Sequence, residues 1–103
     1  MDGLRVFWTN IARKQRDHVF TYWNKRNKSK TYSKKLNLII RERTDLITIY
    51  PEMGILTNFK DTRAIMMKHY SILYQVRRTR IIIIAFWDNR DDQEKLLRLI
   101  QTE

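Results

Sequence analysis

The sequence predicts an α+β fold in which a helical hairpin packs on a small antiparallel sheet, in the order β-α-α-β-β-β followed by a short helix. Apolar side chains recur at helical spacing through two long segments of the first half, and strand-like apolar segments fill residues 63–87. Pro51 and Gly54 mark the boundary between the helical and the strand-like part, because Pro removes a backbone donor and Gly tolerates conformations that end a helix. Helices on one face of a sheet bury both apolar surfaces, and we expect a single domain, residues 1–103.

The first half is predicted to contain one strand and two helices. Gly3–Trp8 is rich in β-forming side chains and predicts the strand. With Thr9 or Asn10 as its N-cap, the first helix extends to Asn27, because apolar side chains recur at three- and four-residue intervals. Tyr32–Tyr50 has the most regular helical pattern, over about five turns.

The second half is predicted to contain three strands. Arg63–Lys68 and Tyr70–Arg77 are the first two, and one face of the latter carries Tyr70, Ile72, Tyr74 and Val76. Ile81–Trp87 is apolar throughout, which indicates a central strand covered on both faces. Residues 55–61 are either loop or partly extended, and residues 94–100 predict the short amphipathic helix. The hairpin turns are expected at Lys68-His69 and Arg78-Thr79.

The charge of the chain is strongly basic, and it is unevenly distributed. The net charge is +10, with twelve Lys/Arg and four Asp/Glu in residues 1–50. Such a field favours an anionic partner, whether nucleic acid, an acidic protein segment or a membrane surface. The absence of cysteine excludes disulfides and thiolate metal sites. No leader-like segment or long apolar run occurs, so we expect a cytoplasmic protein that does not span a membrane.

In the order of these elements the chain resembles the RelE/ParE family of bacterial toxin–antitoxin systems. The residues that carry the resemblance are Pro51, Glu52 and Gly54 at the helix end, Arg63, the Tyr70-x-Ile72-x-Tyr74 strand, and an apolar last strand that closes on Arg90. The resemblance implies a growth-inhibiting toxin of a type II module, of the kind that stabilises plasmids, neutralised by a cognate antitoxin. Within the family, RelE-like members cleave mRNA in the ribosome without metal or cofactor, and ParE-like members block DNA gyrase.

The resemblance also implies which residues carry chemistry. Arg63 matches the family's arginine on the strand before the tyrosine, and Arg90 matches its basic residue after the last strand. Both are expected on the sheet face that receives substrate, where Tyr70 would add a hydroxyl; packing in the core is the alternative for this tyrosine. Arg80 and Lys68 are further candidates. For all these cations the alternative is a solvated strand end.

Asp88 departs from the nuclease pattern, in which several members place His, Tyr or a base near the end of this strand. An aspartate beside Arg90 is expected to form an ion pair and to have a lowered pKa, which makes it a poor general acid. This favours ParE-like inhibition of gyrase by binding. The alternatives are a RelE-like, metal-independent endoribonuclease acting on ribosome-bound mRNA, and an inactive relic or basic nucleic-acid-binding domain.

Six cations in eleven residues surround the turn between the two helices. They are Lys25, Arg26, Lys28, Lys30, Lys34 and Lys35. With Arg80 they are candidates for contact with nucleic-acid phosphates or an acidic target, and a solubilising face is the alternative. His69 in a turn is a weaker candidate acid or base, and His18 is interpreted as structural. Trp23 and Trp87 are either stacking platforms or core residues, and we expect no metal or cofactor.

Overall fold

The computed structural model describes residues 4–92, 94–96 and 98. Its elements are β1 (Arg5–Trp8), α1 (Asn10–Asn27), α2 (Thr31–Ile49), β2 (Ile55–Leu56), β3 (Arg63–Met67), β4 (Tyr70–Arg77) and β5 (Arg80–Asp88). The strands form one sheet in the order β1-β5-β4-β3-β2, and both helices pack on it. The predicted α+β fold is therefore confirmed. None of the helices in these residues is long and apolar enough to cross a membrane.

Two predictions near the ends of the chain are only partly covered by the described residues. The first strand was predicted from Gly3, which lies outside them, and β1 is observed from Arg5. Of the predicted helix at 94–100, residues 94–96 and 98 are helical, and Leu96 is buried against the sheet. Residues 97, 99 and 100 lie outside the described part.

The sheet is mixed, which corrects the prediction of an antiparallel sheet. β3, β4 and β5 are antiparallel, and their turns fall at the predicted positions, where Lys68 and Arg78 adopt positive φ angles of 53° and 52°. β1, however, pairs in parallel with β5, from Arg5 opposite Arg80 to Trp8 opposite Ile83. In the chain, β1 and β5 are separated by α1, α2 and the strands β2–β4. The four residues of β1 are β-forming, but their sequence does not indicate whether they pair in parallel or antiparallel with a neighbour.

The helices begin and end for local reasons. The Thr9 hydroxyl accepts a hydrogen bond from the Ala12 backbone amide at 3.1 Å, as expected of an N-cap. Lys28 ends α1 in the left-handed conformation, at φ 51°. The Ser33 hydroxyl of α2 contacts the Phe20 carbonyl oxygen at 3.1 Å and the Asn24 side-chain oxygen at 2.6 Å. These contacts hold the two helices together next to their connection.

A β-bulge in β5 determines which side chains face the helices. Leu73 lies opposite Ala85 and Tyr74 opposite Ile83, so Ile84 is the extra residue. Before the bulge, Ile81 and Ile83 join the cluster beneath the helices; after it, Phe86 does. A second apolar cluster covers the opposite face, formed by Leu73, Ile84, Ala85, Trp87 and Leu96. β5 is thus buried on both faces, as predicted.

Tyr74 fastens the end of the helical hairpin to the sheet. Its side chain is fully buried, and its hydroxyl donates to the Pro51 carbonyl at 2.8 Å and accepts from the Gly54 amide at 2.9 Å. Arg63 donates from Nη1 to the carbonyls of Glu52 and Gly54, at 3.1 and 2.8 Å. We call Pro51, Gly54, Arg63 and Tyr74 the Tyr74 anchor. The anchor fixes the short strand β2. This strand is the extended part of residues 55–61, for which the sequence allowed either a loop or partly extended structure.

Candidate binding groove

A groove of about 810 Å³ lies between α1 and the end of the sheet where β4 begins and β5 ends. One lip follows four side chains of α1 spaced four residues apart, namely Lys14, His18, Tyr22 and Arg26. The floor contains Gln15, Val19, Trp23, Tyr70 and Phe86, and the far lip Asp88, Arg90 and Asp91. We call this the α1–β5 groove. Two of the three predicted catalytic candidates, Tyr70 and Arg90, line it.

The Tyr70 hydroxyl is a hydrogen-bond donor directed into a cavity. The side chain is only 3% exposed, and its ring stacks on Phe86 with centroids 5.1 Å apart. The Trp23 indole N–H donates to the Tyr70 oxygen at 2.9 Å. Burial raises the pKa of Tyr70, so the hydroxyl stays protonated at neutral pH. Among the described residues no acceptor meets its O–H, which leaves one proton free for a ligand.

Gln15 lines the floor of the groove and binds the backbone of β5. β1 ends opposite Ile83, so residues 84–88 have no strand on that side in the described part of the chain. The Gln15 Oε1 atom accepts from the Phe86 backbone amide at 2.9 Å and replaces the missing strand at one position. Its Nε2 atom is buried and meets no partner within residues 4–92, 94–96 and 98. Among the described residues, the other buried side-chain donor without a partner is Nε1 of Trp87, a residue that also lines the groove.

Asp88 and Arg90 form the predicted ion pair. Arg90 contacts the carboxylate through Nε at 2.9 Å and Nη2 at 2.8 Å, and its backbone amide donates to the same group at 2.9 Å. These hydrogen bonds hold the pKa of Asp88 below its ordinary value. The carboxylate is therefore ionised and occupied at neutral pH, and it has no proton to give to a leaving group.

Arg63 and Arg90 do not share a site, contrary to the expectation from the sequence. Arg63 lies opposite Tyr74, four residues along β4 from Tyr70, which corresponds to about 13 Å. Its guanidinium belongs to the Tyr74 anchor. Arg80 is at the opposite end of β5 from Asp88, about 26 Å along the strand, and lies over the Phe7 ring at 5.5 Å. The register of the strands, which the sequence does not specify, separates these cations.

The remaining candidates fall partly outside the groove. Lys68 and His69 do not line it; the Nζ of Lys68 lies 5.5 Å from the centroid of Tyr32, and His69 is exposed in its turn. His18, interpreted from the sequence as structural, is instead exposed on the lip. The sequence did not single out Lys14, Gln15 or Tyr22. The four-residue spacing of Lys14, His18, Tyr22 and Arg26 was the available signal.

The two tryptophans discussed from the sequence are packing residues. Trp23 is half-buried and contacts two tyrosine rings, Tyr22 at 5.2 Å edge-on and Tyr32 at 4.8 Å tilted. Trp87 is 8% exposed and belongs to the cluster on the far face of the sheet. Trp87 is therefore a core residue, whereas Trp23 packs against aromatic rings and also lines the groove.

The basic cluster at the helical turn is solvent-exposed. All six members, Lys25, Arg26, Lys28, Lys30, Lys34 and Lys35, are exposed, and within the described residues none forms an ion pair. Arg26 belongs to both the cluster and the groove lip, so the two features are continuous. Lys25 and Arg26 lie in the last turn of α1, where positive charge is favourable to the helix dipole.

Comparison with solved structures finds a chain with a similar fold. A chain from the chromosomal ParDE toxin–antitoxin system of P. aeruginosa has a similar structure, with a TM-score of 0.71 at 15% sequence identity, covering 82% of this chain and 95% of that one. A family model described as the ParE toxin of the type II toxin–antitoxin system parDE matches residues 6–93. The chain therefore belongs to the ParE toxin family. No curated protein sequence matches it.

Proposed function

We propose that this chain arrests growth by binding and inhibiting DNA gyrase in the cytoplasm, and that a cognate antitoxin neutralises it. Membership of the ParE toxin family supports the toxin role. The observation that favours binding over catalysis is the Asp88–Arg90 pair, in which the carboxylate at the strand end is ionised and already engaged.

Metal-free RNA cleavage requires a general base, a general acid and cations arranged around one phosphate. In the groove, Tyr70 is protonated and its pKa is raised further, while Asp88 lacks a proton at neutral pH. His18 stands on the exposed lip, and no hydrogen bond from a described residue orients its ring. Arg63, the cation expected beside this site, is engaged in the Tyr74 anchor. This arrangement supports recognition of a target surface.

The basic cluster is the surface that we propose for contact with the target. Its six exposed cations give the α1–α2 turn a strong positive field that attracts an acidic protein surface or nucleic-acid backbone. Charges that are already paired within the fold would contribute little to association with a target. The six cations of the cluster are exposed and form no ion pair with a described residue, so they can contribute.

Two assays on the purified protein test the mode of action. We expect loss of supercoiling by gyrase, with message left intact in an in vitro translation reaction. Cleavage of ribosome-bound message with normal supercoiling would instead establish the nuclease. If induced expression leaves growth unaffected and both assays are negative, the chain is an inactive relic or a nucleic-acid-binding domain.

A charge-matched pair of variants tests the proposed contact surface. Lys34→Gln/Lys35→Gln removes two cations of the cluster, and Arg77→Gln/Arg78→Gln removes two exposed cations at the opposite end of the sheet. The first is expected to weaken gyrase inhibition about tenfold, since near-surface charges set encounter rates, and the second to change it little. Equal inhibition by both variants would make the cluster a solubilising face.

A further inference from the structure

Three arginines form a row across the sheet, at the end that carries the β4–β5 turn. Arg80 of β5 lies opposite Arg5 of β1 on one side and opposite Arg77 of β4 on the other. Residues opposite each other in a sheet point to the same face, and neighbouring strands are about 4.8 Å apart, so the row spans about 10 Å. We call these residues the arginine row. Like charges directly opposite each other are destabilising, so the fold itself gains nothing from this arrangement.

The arginine row lies on the face of the sheet opposite the helices. Arg80 precedes Ile82 by two residues, and Ile82 packs against the apolar cluster on that face. All three arginines are exposed, and none forms an ion pair with a described carboxylate. Asp61 lines a shallow pocket beside Arg77 but forms no ion pair with it. The described part of the fold therefore supplies no counterion to the row.

A neutral side chain holds Arg77 in place. Nε and Nη2 of Arg77 donate to Oε1 of Gln75 at 3.3 and 2.9 Å, and Nε2 of Gln75 donates to Oγ1 of the buried Thr62 at 3.1 Å. The amide orients the guanidinium and leaves its charge intact. Arg90, in contrast, is held by the carboxylate of Asp88, which balances its charge. Arg77 is therefore positioned in advance for an anion that comes from outside the chain.

An exposed aromatic ring lies beside the arginine row on the same face. Phe7 follows Arg5 by two residues in β1, and it is 44% exposed. The Arg80 guanidinium lies 5.5 Å from the centroid of the Phe7 ring, so a second member of the row also has a neutral partner. Bases of single-stranded nucleic acid stack on aromatic rings and on guanidinium planes, and Phe7 and Arg80 supply one of each.

This combination favours single-stranded nucleic acid over other anions. A single strand repeats a phosphate at every nucleotide, which suits a regular row of cations, and its bases are free to stack on an exposed ring. A duplex keeps its bases stacked on one another, and an acidic peptide would use the cations alone. Binding to a membrane surface requires a larger exposed apolar area than one ring supplies.

We propose that this face of β1, β5 and β4 binds single-stranded nucleic acid, with phosphates on the arginine row and one base stacked on Phe7. The site is at the opposite end of β5 from the α1–β5 groove, and it uses none of the six cations of the basic cluster. The inference does not rest on the proposed function, which assigns contact with gyrase to that cluster.

Fluorescence anisotropy of labelled oligonucleotides with the full-length toxin tests the arginine row. Arg77→Gln/Arg80→Gln is expected to weaken a ten-nucleotide thymidine strand about tenfold or more, and to reduce the slope of log affinity against log salt by about 1.4, as for two lost phosphate contacts. Arg13→Gln/Arg41→Gln removes two exposed cations from the helices and is the charge-matched control. It should change the affinity by less than about twofold, since neither cation lies on the proposed face.

A second set of measurements tests the stacked base. Thymidine and uridine strands are both titrated, and either DNA or RNA should bind about fivefold or more tightly than a duplex of the same length. Phe7→Leu keeps an apolar side chain and removes the ring, so it should abolish this preference. Tyr50→Leu, which removes an exposed ring at the end of α2, is the matched control and should keep the preference. If Phe7→Leu does not fold, the arginine variant and the duplex comparison decide the proposal.

Three results would overturn the inference. The single strands and the duplex bind equally well, Lys34→Gln/Lys35→Gln weakens binding more than Arg77→Gln/Arg80→Gln, or phosphatidylserine vesicles bind through the row where oligonucleotides do not. Gyrase inhibition by the same preparations separates the two proposals. Inhibition by a toxin that does not bind the strands rejects this inference alone. Strand binding by a toxin that does not inhibit gyrase rejects the proposed target alone.

Discussion

Tyr70 and Tyr74 lie on the same face of β4, four residues apart, yet their hydroxyls are in opposite situations. The Tyr74 hydroxyl donates to Pro51 and accepts from Gly54, so its hydrogen-bonding capacity is used within the fold. The Tyr70 hydroxyl accepts from Trp23 and keeps its proton free at the floor of a groove. Burial raises the pKa of both. The partners of a buried hydroxyl, more than its depth, therefore separate a structural tyrosine from one available to a ligand.

The largest effect is expected at the Tyr74 anchor, from Gly54→Ala. An added Cβ would lie 2.6 Å from the Tyr74 hydroxyl oxygen and 2.8 Å from a ring carbon, closer than packed atoms allow. Because Tyr74 is enclosed, we expect a loss of about 2–3 kcal/mol in the free energy of unfolding, at the upper end of overpacking costs. Urea denaturation measures it, with Met53→Ala as an exposed neighbouring control. An unchanged free energy of unfolding would show that Tyr74 can move away from the added Cβ at little cost.

Tyr74→Phe should have the next largest effect, about 1–3 kcal/mol, since it leaves the Gly54 amide and the Pro51 carbonyl without partners. The double variant with Gly54→Ala sharpens the result. Removing the hydroxyl relieves the closest clash, so the two losses should be less than additive. Strict additivity in urea denaturation would contradict the contact between these residues.

Tyr70→Phe should cost less than Tyr74→Phe, about 1 kcal/mol, because only the Trp23 indole loses an acceptor and the groove admits water to replace it. The difference between the two Tyr→Phe variants, measured by urea denaturation under the same conditions, is the direct test of the comparison. If Tyr70→Phe were the more destabilising, the free-donor interpretation of Tyr70 would be wrong.

The smallest effect is expected from Asp88→Asn at the edge of the groove. Arg90 holds the pKa of Asp88 in the folded protein below its ordinary value of about 3.9, so the stability contributed by the ionised form is complete above that pH. It is lost as the pH falls through the folded pKa. The urea midpoints of the native protein and the variant should therefore converge as the pH falls below the ordinary pKa of an aspartate. A difference between the two midpoints that grows as the pH falls would contradict the stabilising role of the Asp88–Arg90 ion pair.

The elements were predictable from sequence because their signals are local. Tyr32–Tyr50 was predicted and Thr31–Ile49 is observed, and β4 has its predicted bounds, Tyr70–Arg77. The alternation in β4 also identified the face that carries both tyrosines. The periodicity of apolar side chains within a single element is sufficient for such predictions.

The geometry of the site was not predictable, for physical reasons that differ between residues. The run Ile81–Ile84 has no alternation, so neither the bulge nor the face of Phe86 and Asp88 can be inferred from it. Arg63 was assigned to the site because it matches the family's arginine on the strand before the tyrosine, but the β3–β4 register directs its guanidinium to the carbonyls of the Tyr74 anchor. Gln15 is unremarkable in sequence, since its role depends on where β1 stops beside β5.

The position of β5 between β1 and β4 also governs the order in which the protein can fold. β1 pairs with a strand about 75 residues further along the chain, and this strand is the centre of the sheet. During synthesis, the segments up to residue 79 can form helices and the β3–β4 hairpin, but the sheet closes only after residues 80–88 have left the ribosome. The nascent toxin is therefore expected to lack its groove until almost the whole described chain has been made.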